Sequence, residues 1–166
     1  KRPQTNPLIV HVPSLEKAKE VAAHFPPKAE QLAAHFWPGP LTLVFQKSRM
    51  VLNDVTGGQE TIAIRSPSHP LAQELLRAFA GGIAAPSANR SNAISPTAAV
   101  HVSTTLDGRI DLILDGGACE SGLESTILAI RHDGSCEILR PGPIGWDDLP
   151  DLVRAKPTAA RVEAPG

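Results

Sequence analysis

The sequence contains only two cysteines, Cys119 and Cys136, and neither sits in a CxxC pair or beside a cluster of histidines. A disulfide scaffold is thereby excluded and a structural zinc site disfavoured, and a reducing cytoplasm is the expected compartment. Charge of one sign is also lacking. Sixteen Lys and Arg stand against 17 Asp and Glu, a net charge of −1, so the bulk basic signature of a nucleic-acid coat is absent. No apolar run approaches the ~18 residues of a membrane helix, and neither a signal peptide nor membrane contact is expected. Common chemical signatures are missing too. The run Gly116-Gly117-Ala118-Cys119-Glu120-Ser121-Gly122 superficially suggests a phosphate loop, but it lacks the G-x-x-x-x-G-K-S/T pattern and no helix follows it. There is no G-x-S-x-G elbow and no H-E-x-x-H run.

What is present fits one globular domain. Hydrophobic residues make up 42% and charged residues 20% of 166, ordinary values for a protein with a real core. Proline is abundant, at 16 residues, which argues for many fixed turns. Leu8 to Val12, ended by Pro13, reads as a buried strand. Ser14 caps a helix with Leu15, Ala18, Val21 and Ala22 on one face, and Pro26-Pro27 stops it. A second helix is expected over Ala29 to Phe36, then a rigid Trp37-Pro38-Gly39-Pro40 turn and a strand from Leu41 to Phe45. Asn53 to Glu60 reads as a loop, Thr61 to Arg65 as a strand, Pro70 to Phe79 as a helix and Ile83 to Ala85 as a strand. A polar loop from Pro86 to Pro96 precedes a helix from about Thr97. Leu112 to Leu114 is strand-like, Ser125–Ile130 and Cys136–Leu139 form a hairpin across Asp133-Gly134, and a weak helix covers Asp147 to Val153. The mixture predicts an α/β domain, with α+β as the alternative, on a twisted mixed sheet flanked by helices.

Two segments stand out chemically. The loop from Pro86 to Thr97 crowds hydroxyls, amides and backbone N–H groups between a strand end and a helix start, where an anion could sit. It reads equally as a turn with Ser95 as N-cap and Pro96 at the first helical position. In Thr61-Ile62-Ala63-Ile64-Arg65, strand alternation puts Thr61, Ala63 and Arg65 on one face. An arginine there, with a small alanine beside it, could grip a carboxylate or phosphate through paired hydrogen bonds; a solvated strand face is the alternative. His11 lies inside an apolar strand, the usual setting of a core or rim histidine, and Lys1 and Arg2 are two cations at a chain end.

Taken in order, these segments resemble the YrdC/TsaC family of threonylcarbamoyl-AMP synthases. The pieces are Lys1-Arg2-Pro3 with Asn6-Pro7-Leu8-Ile9-Val10-His11-Val12; Trp37-Pro38-Gly39-Pro40-Leu41-Thr42; Thr61-Ile62-Ala63-Ile64-Arg65-Ser66-Pro67; Ala85-Pro86-Ser87-Ala88-Asn89 with Ser95-Pro96-Thr97; Asp115-Gly116-Gly117 with Gly122 and Glu124-Ser125-Thr126; and Arg140-Pro141-Gly142. Each is modest alone, and together they span Lys1 to about Gly142.

The resemblance implies roles. Threonine would be held by His11, Arg65, Ala85 and Ser125, and ATP by Arg2, Asn6, Thr61, Ser87, Ser95 and Arg140. Lys1, Arg2, Ser87 and Asn89 would be the catalytic set facing the cleft. No resident metal site is implied; Mg²⁺ is expected with ATP. The implied reaction converts L-threonine, bicarbonate and ATP into L-threonylcarbamoyl-AMP and pyrophosphate, as a nucleotidyltransferase. It would serve the threonylcarbamoyladenosine modification of tRNA, so the downstream threonylcarbamoyl-transfer machinery and a weak RNA contact are expected partners. The alternatives are a double-stranded RNA-binding module and a carbamoyl-transfer domain of the hydrogenase-maturation type. The latter carries Cys-rich zinc fingers, of which two cysteines leave no sign.

Two departures from the family pattern accompany this reading. Lys1 and Arg2 are adjacent, whereas the family spaces them K-x-R. The family's first strands, with a T-x-T-V-Y-G-L motif walling the threonine pocket, are expected upstream of Lys1. The chain is therefore expected to be a fragment: a synthase domain over 1–154 without its N-terminal strands, and the start of an interdomain linker over 155–166, where Ala164-Pro165-Gly166 resembles the opening of a linker that crosses the active-site mouth.

Overall fold

The computed structural model describes residues 5–90, 93–131 and 133–153. Lys1, Arg2 and the expected linker at 155–166 lie outside the described residues. Six strands form one mixed sheet: β1 (Ile9–His11), β2 (Leu41–Gln46), β3 (Thr61–Arg65), β4 (Ile83–Ala85), β5 (Thr126–Ile130) and β6 (Cys136–Arg140). Their spatial order is β4-β1-β3-β2-β5-β6. The pairs β1–β3 and β2–β5 are parallel, and β1–β4, β2–β3 and β5–β6 antiparallel. The helices are α1 (Leu15–Val21), α2 (Pro27–Phe36), α3 (Asn53–Thr56), α4 (Pro70–Phe79) and α5 (Ala99–Leu106).

Strand alternation divides the sheet into two unlike faces. One carries Val10, Leu43, Phe45, Ile62, Ile64 and Leu128 and packs with Ala18 of α1 and Ala29, Leu32 and Ala33 of α2 into the main core. Leu32, Leu43, Ile64 and Leu128 are fully buried there, each worth about 1.5–3 kcal/mol of burial. The other face holds a smaller cluster of Ile9, Val44, Ala63, Ile127 and Ala129. Short residues at 63 and 129 keep that face shallow, and the expected site residues lie around it.

The Ser14 cap of α1 is observed, its hydroxyl accepting from the Lys17 N–H at 3.4 Å. Four expectations are corrected. Part of the expected 53–60 loop is α3, a single turn closed by Gly57 in the left-handed region at φ 60°, where glycine carries no Cβ penalty. Leu112 to Leu114 is not a strand; Leu112 is 74% exposed and among the described residues no neighbouring strand takes its hydrogen bonds. The last expected helix is two 3₁₀ turns, Trp146–Asp148 and Asp151–Val153, separated by Pro150, which removes a donor. Finally, α5 starts at Ala99 with Ala98 as its N-cap, so Ser95 does not cap it.

The sheet end that faces the site is set by Gly142. A Cβ there would come within 2.5 Å of the Glu124 carbonyl oxygen and 2.7 Å of the Ser125 carbonyl carbon. Backbone cannot yield as a flexible side chain can, so Gly142→Ala should destabilise the fold by about 1–3 kcal/mol. A shifted denaturant midpoint would register this; an unchanged midpoint would show that the 140–142 turn tolerates the methyl.

Candidate functional site

Register brings the first site residues together. On the shallow face His11 of β1 pairs with Arg65 of β3, and Ala85 of β4 pairs with Ile9 beside them. Among the described residues Arg65 is anchored by one edge only, its Nε donating to the Gly39 carbonyl at 2.9 Å. It opens into a cleft of about 700 Å³ with Ser95, Glu124 and the 116–123 loop on its walls. That loop is held by the His69 Nε2–H bond to the Gly116 carbonyl at 3.1 Å and by the Cys119 N–H bond to the Thr97 carbonyl at 2.8 Å.

A chain of hydrogen bonds and one ion pair crosses the cleft wall. Ser95 donates its hydroxyl to Glu124 Oε1 at 2.6 Å. The other oxygen of Glu124 is 3.7 Å from Arg140 Nη2. Arg140, at the end of β6, donates through Nε and Nη2 to the Ser125 carbonyl at 3.1 and 2.9 Å, and through Nη2 to the Ser125 hydroxyl at 3.0 Å. That hydroxyl also bonds Thr42 Oγ1 at 2.7 Å. Ser125 and Thr42 are both buried, so Ser125 is held from two sides.

Three cationic or cationisable groups crowd this face, and its electrostatics follow. Burial pushes Arg65 and Arg140 below the usual guanidinium range, while the Glu124 carboxylate opposes the shift in both; each still carries its charge. Burial, with the Arg65 charge adding to it, lowers His11 from 6.5 to about 4, partly offset by the carbonyls of Ile83 and Ile9. Its Nδ1 is buried without a hydrogen-bond partner among the described residues. At neutral pH this histidine is an uncharged ring next to a permanent cation.

The expected residues do not all share the cleft. Arg65 and Ser95 line the cleft, Arg140 and Ser125 join it through the wall residue Glu124, and His11 and Ala85 adjoin through the sheet. Thr61 begins β3, about 13 Å from Arg65 along the strand, and lines a separate pocket of about 260 Å³ with Val44 and Ala129. Asn6 precedes β1, which runs parallel to β3, and so lies toward the Thr61 end. Ser87 is exposed after β4, and Asn89 turns its amide onto the Ala93 carbonyl at 2.5 Å within its own loop. Lys1 and Arg2 lie outside the described residues. Three contributors have no role in the sequence reading: Gly39, whose carbonyl orients Arg65, Thr42 and Glu124. The signal for Thr42 was a polar residue inside the apolar strand Leu41–Phe45.

The cleft does not contain a built metal site: among the described residues no group of three His, Cys, Asp or Glu side chains could hold an ion. No described helix is long and apolar enough to cross a membrane.

The Sua5/YciO/YrdC family model, described as "Telomere recombination", matches residues 1–142. The chain is 43% identical over 152 residues to a threonylcarbamoyl-AMP synthase of Pyrococcus abyssi, covering 92% of this chain and 44% of that protein. It is 48% identical over 153 residues to a threonylcarbamoyl-AMP synthase of Bacillus subtilis, again covering 92% of this chain and 44% of the relative. The chain thus spans less than half the length of these relatives. The crystal structure of P. abyssi Sua5 complexed with L-threonine matches with a TM-score of 0.91 at 40% identity, over 99% of this chain and 51% of the other.

The burial of His11 has a measurable consequence. The unfolded chain's histidine takes up a proton near 6.5 and the folded one only near 4. Folding stability is therefore fully retained above 6.5 and falls as pH drops between those values. An NMR titration of the His11 ring should show a midpoint near 4; a midpoint at or above 6.5 would contradict the buried, cation-flanked setting.

Proposed function

This chain belongs to the Sua5/YciO/YrdC family, and from that premise we propose that it forms L-threonylcarbamoyl-AMP and pyrophosphate from L-threonine, bicarbonate and ATP. The observation that carries the proposal is a cleft lined by Arg65 and Ser95, tied through its wall residue Glu124 to Arg140 and Ser125 and adjoined through the sheet by the neutral His11, in a chain whose fold matches a threonine-bound relative.

The threonine carboxylate takes the guanidinium edge of Arg65 that Gly39 leaves free, in the paired geometry arginine offers. His11, Ala85 and the doubly held Ser125 form the rest of its seat. Ser95 and Arg140 bind the triphosphate, and the strand face running from Arg65 toward Thr61 and Asn6 accommodates the remainder of the nucleotide. Ser87 and Asn89 face the cleft on nucleotide binding, and Lys1 and Arg2 add positive charge. Mg²⁺ would enter with ATP and offset phosphate charge rather than occupy a dedicated protein cage.

In this reading the threonine amine adds CO₂ derived from bicarbonate and loses a proton, giving a carbamate. A carbamate oxygen attacks the α-phosphorus of ATP, and the bond to the bridging oxygen of pyrophosphate breaks. Such a displacement needs alignment and charge neutralisation more than a strong protein base. Alignment alone can supply about 7–11 kcal/mol, and the guanidinium of Arg140 is preorganised to stabilise the developing phosphate charge. The product would supply the threonylcarbamoyl-transfer machinery that modifies tRNA in the cytoplasm, with RNA itself making at most a weak contact.

The purified protein should release pyrophosphate from ATP only when L-threonine and bicarbonate are both present. Release that ignores threonine would overturn the assignment.

The two arginines should separate in titrations. Arg65→Ala should weaken threonine binding by about 1.5–3 kcal/mol and ATP binding far less. Arg140→Ala should weaken both, because the same guanidinium holds Ser125. Equal losses of both ligands in Arg65→Ala would contradict the roles.

A further inference from the structure

Glu124 is a carboxylate lodged among the groups assigned to the anions of the substrates. Its Oε1 accepts the Ser95 hydroxyl proton at 2.6 Å and its Oε2 stands 3.7 Å from Arg140 Nη2. Among the described residues Ser95 makes no other side-chain hydrogen bond. The Glu124 charge also acts on Arg65 across the cleft. A carboxylate and a phosphate offer these donors the same chemistry, acceptor oxygens bearing negative charge. They cannot both take the Ser95 hydroxyl and the near edge of Arg140, because two anions at such separation repel each other.

The geometry around Glu124 allows its side chain to move while its backbone stays. The side chain is 47% exposed, so turning outward exchanges protein contacts for water and strands no buried group. Its carbonyl oxygen, by contrast, is packed against Gly142, and the next residue, Ser125, is buried and clamped by Arg140.

We propose that Glu124 is an internal counter-anion that occupies the phosphate seat between turnovers and returns to it as pyrophosphate leaves. Resting on the assignment of Ser95 and Arg140 to the triphosphate, the proposal gives this residue a positioning and release role. With the seat empty of nucleotide, Glu124 keeps Ser95 and Arg140 oriented and offsets the crowding of Arg65 and Arg140. When the triphosphate enters, the carboxylate turns to solvent. After the phosphoryl bond to pyrophosphate breaks, its return competes for the same donors and speeds departure of the highly anionic product.

The test is calorimetric titration of wild type and Glu124→Gln with a non-hydrolysable ATP analogue and with inorganic pyrophosphate, each with and without Mg²⁺. Glutamine keeps the shape and one acceptor oxygen while removing the charge. Both ligands should bind the variant about fivefold tighter or more, whether or not Mg²⁺ is present, and pyrophosphate should become a stronger product inhibitor of turnover. Unchanged affinity would overturn the proposal. So would weaker binding confined to the Mg²⁺ titrations, which would make Glu124 a ligand of the nucleotide's metal. Weaker binding under both conditions would make it a fixed support for Ser95 and likewise overturn it. If wild type binds neither ligand, the phosphate seat itself fails and both readings fall; if wild type binds and the variant gains nothing, only the role of Glu124 falls.

Discussion

The guanidinium of Arg140 ties the site together. Through the Ser125 carbonyl and hydroxyl it fixes the entrance to β5, and its Nη2 stands 3.7 Å from Glu124 Oε2. The contact is possible because Gly142, two residues on, lets the chain turn flat against the backbone of Glu124 and Ser125. Two segments distant in sequence, the Arg140-Pro141-Gly142 turn and Glu124-Ser125-Thr126, are thus one structural unit. Thr126 reinforces it: its hydroxyl donates to the Ile144 carbonyl at 2.8 Å and accepts from the Ile144 N–H at 2.9 Å.

This unit works because the sheet beneath it is asymmetric. Large aliphatic side chains fill one face, where α1 and α2 pack against them. Ala63 and Ala129 on the other leave a shallow floor beside His11 and Arg65. Arg65 and Arg140 there donate to backbone carbonyls, those of Gly39 and Ser125.

Much of this was legible in the residues, and what was not has physical reasons. The alternation of Thr61 to Arg65 placed the right three side chains on one face, because a strand's period of two survives any tertiary context. Pro70 to Phe79 was read with its observed bounds, since proline at the first position starts a helix cleanly. The α/β reading was also met by the mixed sheet, and the family resemblance by the comparisons. Ser95 was misread as a cap because a serine before proline fits an N-terminus locally; only the fold brings Glu124, 29 residues on, within reach of its hydroxyl. Leu112 to Leu114 looked like a strand because apolarity alone cannot tell whether a sheet edge is near. Nor could periodicity separate Thr61 from the cleft that holds Arg65, because sharing a face does not mean sharing a pocket.

The central claim is that threonine and the nucleotide meet on this one face of the sheet. A crystal structure of the protein with L-threonine and a non-hydrolysable ATP analogue tests it most directly. The threonine carboxylate should lie on the free edge of Arg65 with His11 and Ser125 around the amino acid, and phosphate oxygens should bond Ser95 and Arg140. Density for either ligand on the helix-covered face, or a threonine carboxylate that leaves Arg65 untouched, would contradict it.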